Sequence, residues 1–168
     1  MTTAAAFLAQ LDREIPGTRR LLARVPEGRA GWKPHDRSMP LGYLSAMIAT
    51  MPAWIESMAL HSALDVASPE GASITPAAFD TTAALVEAFD AAISRGRAAL
   101  ESVSDSTLLT TWRMLVGGRV VAEGARQQLI CDHFSHWVHH RAQLTVYLRL
   151  LEVPVPCIYG PTADDAGS

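Results

Sequence analysis

Apolar residues recur at spacings of three and four through four separate stretches of this chain, and few folds can bury such stripes. The clearest stripe is Leu41, Leu44, Ile48, Met51, Ile55 and Met58, on a helix predicted over about 41–60. An earlier stretch, about 3–23, carries Phe7, Leu8, Leu11, Ile15, Leu21 and Leu22, and its Pro16-Gly17 pair predicts a kink or brief break. A third runs from near Asp80-Thr81 to about Glu101 with Leu85, Phe89, Ile93 and Leu100 inward. The fourth spans about 122–151 and stops before Val153-Pro154-Val155-Pro156. Ser38 reads as the cap of the second helix, with Pro40 just after it. Residues 61–76, small and rich in Pro and Gly, read as a long surface connection. Thr110 to Val116, Gly117-Gly118 and Arg119 to Val121 read as a small hairpin, too little to form a core alone. The predicted fold is therefore all-α: a four-helix bundle in one domain over 1–168, with long connections and a hairpin excursion before the last helix.

Composition narrows the partners. A chain of 168 residues, 49% apolar, buries enough surface to fold without disulfide or structural metal. Fourteen basic residues against 17 acidic, with no block of like charge, remove the electrostatic footprint of a nucleic-acid binder. No run approaches the about 20 apolar residues of a membrane span. The first residues lack the basic leader of a signal peptide, and two cysteines, Cys131 and Cys157, make neither a disulfide framework nor a thiolate zinc site. A cytoplasmic protein is expected.

The chemistry-bearing cluster lies in the last helix, where His133, His136, His139 and His140 fall within eight residues. On a helical wheel His140 lies about 40° from His136, and Gln143 and Tyr147 within about 20° of it, so these four form one line. Imidazoles at i and i+4 can share one metal ion. Trp137 follows His136, so the glutamate base of a His-Glu-x-x-His protease is missing, and no Glu-x-x-His of a di-iron bundle occurs. The alternative is a polar face or satisfied core histidines. The four tryptophans, Trp32, Trp54, Trp112 and Trp137, read as core or as walls of a ligand cavity. Arg141 and Arg149, on the far side with Cys131, Phe134 and Val138, read as packed inside or as a subunit interface. Asp164 and Asp165 read as a solvated end.

The string from His136 to Arg149, His-Trp-Val-His-His-Arg-Ala-Gln-Leu-Thr-Val-Tyr-Leu-Arg, resembles the terminal helix of the DinB family. The ending Pro156-Cys157-Ile158-Tyr159-Gly160-Pro161-Thr162-Ala163-Asp164-Asp165 and the entries Gly31-Trp32-Lys33-Pro34-His35 and Ser38-Met39-Pro40-Leu41-Gly42 are similar to the same family. The resemblance implies a helical bundle, often a homodimer, holding a divalent metal (Zn, Ni or Fe) on three histidines. Two of these map to His136 and His140. The third, from the second helix, maps to Met47, a thioether better suited to Cu(I) than to zinc or nickel. Neither His133, on the same helix as the pair, nor His61, about 20 Å from Met47 along an ideal helix, is well placed to replace it, and nothing in its spacing supports His35. With metal bound, the implied function is activation of water or of a low-molecular-weight thiol, as a transferase, isomerase or hydrolase, with Gln143 and Tyr147 orienting metal-bound water or substrate. The competing expectation is a catalytically lapsed dimeric bundle that binds a small molecule or serves as a scaffold.

Overall fold

A computed structural model describes residues 2–72 and 79–164 of the chain. Helix α1 spans Thr3–Leu22. The Thr2 hydroxyl accepts the Ala5 N–H at 3.1 Å, and the Asp105 carboxylate accepts those of Thr3 and Ala4, so the first turn is capped from two directions. The predicted break at Pro16 does not occur. The carbonyl that Pro16 cannot serve belongs to Asp12, an exposed residue, so the missing bond falls on the solvent side of the helix.

The second predicted helix is divided. Helix α2 covers Leu41–Thr50, a single 3-10 turn covers Met51–Ala53, and α3 covers Trp54–Leu60. Pro52 has no N–H for the Ile48 carbonyl, and that buried oxygen instead accepts the indole N–H of Trp137 at 2.9 Å. Ser38 is not the cap of α2; Pro40 holds that position without a side-chain bond. Helix α4 covers Pro69–Ala72, α5 Thr82–Ser102, α6 Asp105–Leu108 and α7 Arg126–Leu150. Helix α5 packs on α1 and on α2 and α3, while α7 packs on α2, α3 and α1. Gly96 lets α5 close on the 3-10 turn, since a Cβ there would lie 2.5 Å from the Pro52 oxygen.

The all-α expectation needs correction: the chain is mostly helical but carries a three-stranded sheet in the order β1–β2–β3. Strands β2 (Thr111–Val116) and β3 (Arg119–Ala125) form the expected hairpin, its turn made by Gly117 and Gly118 at φ of 59° and 81°. Strand β1, Ala63–Asp65, pairs parallel with β2 within the stretch read as a surface connection, so that reading is corrected as well; 73–76 of it lie outside the described residues. The pairing satisfies an edge of β2, and the Asp65 carboxylate accepts the Gly117 and Gly118 N–H groups at 2.9 and 2.6 Å. Helix α7 starts later than predicted because β3 keeps pairing to Ala125. Buried Arg126 then donates to the carbonyls of Met58, Ala59 and His61, locking the start of α7 to the end of α3. Among the described residues no helix is long and apolar enough to cross a membrane.

Candidate functional site

The site grows from the meeting of α7 with the break between α2 and α3. His140 is buried, and its Nε2 lies 2.6 Å from Nε2 of His136, which stands exposed one turn earlier. The two rings are 4.4 Å apart between centroids and tilted by 52°. Gln143 sets the protons. Its amide N–H₂ donates to His139 Nε2 at 3.0 Å, and its oxygen accepts Nδ1–H of His140 at 2.8 Å. His140 therefore carries its proton on Nδ1 and turns a bare Nε2 toward His136, whose Nε2–H fills it. Partial burial, with His140 and His139 alongside, holds the His136 imidazole below its ordinary pKa.

A cavity of about 390 Å³ opens beside His136. Tyr43, Met47 and Thr50 of α2 form one wall, with Met51 of the 3-10 turn and Trp54 of α3 continuing it. Val66, just after β1, and Met114 of β2 close the far side, and His133 completes the α7 side. His133 is buried, stacks on Trp54 at 18° between ring planes, and makes a 2.8 Å hydrogen bond from Nε2 to the Met51 carbonyl. That nitrogen is the donor, so His133 offers the cavity no Nε2 lone pair.

The structure thus brings together His136, His140 and Gln143, and sets Met47 in the cavity wall with His136. Tyr147 lies elsewhere: its hydroxyl donates to the Met39 carbonyl at 3.2 Å and its ring meets Trp32 edge-on, anchoring the entry to α2. His35 sits in an exposed loop, where Nδ1 accepts the Arg37 N–H, and His61 is exposed at the end of α3. Sequence reasoning missed Val66 and Met114, since a hairpin and a three-residue strand carry no periodic signal pointing at a site. Met51 could be read only as part of a core stripe.

A divalent ion can be tested against these donors. Two imidazole nitrogens on a tetrahedral ion at 2.0–2.1 Å stand about 3.3 Å apart, so the pair would open by less than an ångström to share one. The rest of the set does not follow. Among the described residues no group of three His, Cys, Asp or Glu side chains is placed to hold an ion. The cavity contributes thioethers, a phenol and a hydroxyl, with no carboxylate. The donors do not complete a site for Zn, Ni or Fe.

The sequence profile of the DinB family matches residues 18–166. Among solved structures, the chain is similar to a DinB-like protein from Bacillus subtilis, with 17% identity, a TM-score of 0.69, and coverage of 94% of this chain and 99% of that one. It is similar too to a DinB-like protein from Bacillus cereus, with 19% identity, a TM-score of 0.70, and coverage of 92% and 97%. At such identities the likeness is one of fold. No curated protein matches the chain.

Proposed function

The chain belongs to the DinB family, and from that premise we propose that it is a small-molecule-binding member whose divalent-metal set has lapsed. The observation that carries this reading is Met47, lining the cavity beside His136 where the family resemblance calls for a third histidine. A neutral, soft thioether adds little affinity for Zn, Ni or Fe(II), so the two imidazoles lack the third donor that would hold such an ion. The cavity itself has the size of a small-ligand site. Methionine, valine and aromatic side chains suit an apolar body, while the His136 ring at the rim can hydrogen-bond one polar group.

Metal analysis of the untagged protein tests the reading. The expected result is zinc, nickel and iron well below one equivalent, with Met47→His raising zinc affinity by about tenfold or more, the gain of a whole ligand. An apolar fluorescent probe should bind the native protein and lose affinity when Met114→Trp fills the cavity. Stoichiometric zinc, nickel or iron in the native chain would overturn the proposal. It would restore the metal-dependent transferase, isomerase or hydrolase reading, which the convergence of the two Nε2 atoms favours.

A further inference from the structure

The wall of the cavity beside His136 carries no charge. Among the described residues no Asp, Glu, Lys, Arg or Cys lines it, and burial holds both of its histidines below their ordinary pKa, His133 at about 4. An ion entering would lose its hydration with no opposite charge in return, a cost that an uncharged ligand avoids. The polar atoms of the wall share a further property. The Nε2–H of His133 is spent on the Met51 carbonyl, and the Thr50 hydroxyl proton on the Ala46 carbonyl at 3.0 Å. His136 spends its own N–H on His140. A neutral imidazole has one N–H, so both cavity histidines keep a bare Nδ1, and among the described residues neither Nδ1 accepts a hydrogen bond. His133 is only 8% exposed, so a donor reaching its lone pair meets little competition from water. The rest of the wall is polarisable. Trp54 gives an indole plane stacked on His133, and Met47, Met51 and Met114 give thioethers, which contact aromatic rings favourably.

We propose that the cavity binds a neutral, planar aromatic molecule carrying one hydrogen-bond donor, of the phenol class, and that Nδ1 of His133 accepts that donor. The proposal rests on the cavity being a small-molecule site, and adds the charge, shape and donor of the ligand.

The test is calorimetric titration of the full chain at pH 7 with 2-naphthol, which has all three properties, and with analogues that each lack one. 2-Methoxynaphthalene, without the donor, should bind about tenfold or more weakly, the value of one hydrogen bond. 2-Naphthoate and 2-naphthylmethylammonium, charged with either sign, should bind at least about tenfold more weakly as well. So should decahydro-2-naphthol, which keeps the hydroxyl and loses the flat ring. In protein carrying isotopically labelled histidine, the Nδ1 magnetic resonance of His133, identified by its loss in His133→Gln, should move with 2-naphthol and stay with 2-methoxynaphthalene. Met114→Trp, shown by circular dichroism to fold, should lose 2-naphthol binding. An analogue that equals 2-naphthol overturns the proposal, as does an unmoved His133 signal or undiminished binding to Met114→Trp. If the apolar fluorescent probe binds and 2-naphthol does not, the proposal falls and the small-molecule reading stands. If neither binds, both fall.

Discussion

Burial holds the His133 imidazole down to about 4, against 6.5 for the free side chain, despite its hydrogen bond to the Met51 carbonyl. Between those values the unfolded chain takes up a proton that the folded chain refuses. The stability tied to this ring is therefore complete above pH 6.5, declines as pH falls toward 4, and is gone below it, a change on the order of 3 kcal/mol. In urea denaturation across that window, His133→Gln, which keeps an N–H for Met51, should show a shallower decline than the native chain. Equal slopes would refute the account. At this scale the sequence was informative about identity and poor on role. Four histidines on one helix were plain to see, but the same spacing yields a cavity-wall donor at 133, a facing pair at 136 and 140, and a Gln143 partner at 139.

Between residues and fold stands the broken helix from Leu41 to Leu60, whose break depends on a partner. Pro52 removes one donor, and the break is tolerated in the interior because Trp137 supplies another to Ile48. Trp137→Phe removes that N–H, leaving a buried carbonyl unpaired at a cost of about 1–3 kcal/mol, and the smaller phenyl ring adds a cavity cost of its own in the core. Thermal or chemical unfolding should show the loss with helical content unchanged, and amide exchange should quicken around residues 48–54. An unchanged midpoint would mean that water or a shifted backbone takes over the carbonyl. The apolar stripe of 41–58 was legible because it persists through the break, whereas the break was not predicted from the stripe.

Across the whole molecule, a buried ion pair joins α1, α7 and the chain's end. Arg141 meets Glu14 at 2.6 Å with both side chains almost fully buried. Arg141 also donates to the Thr18 and Tyr159 hydroxyls, and the Tyr159 hydroxyl donates to Glu14 at 2.7 Å. This resolves the two readings of Arg141 in favour of the interior. Asp164 is exposed, as expected of a solvated end, and also accepts from Arg149 at 2.6 Å and from the Val155 N–H at 2.8 Å, while Asp165 lies outside the described residues. Arg141→Leu leaves Glu14 buried without its counter-charge and should cost about 3–5 kcal/mol in equilibrium unfolding. Glu14→Leu/Arg141→Leu should recover much of that, because no lone charge then remains inside. A double variant as unstable as the single one would show that the pair acts through shape rather than charge.

Periodicity, punctuation and the histidine spacing by themselves determined the apolar stripes of the helices, the hairpin and the facing imidazoles, because each depends on residues within a few turns of one another. Tertiary structure alone decided that Ala63–Asp65 is a strand, that Met114 reaches the wall holding Met47 and His136, and that Tyr147 serves the loop at Met39. Those outcomes join segments tens of residues apart. Their free energy comes from pairing open strand edges and burying side chains against distant partners, and no short window of sequence contains both halves of such a contact.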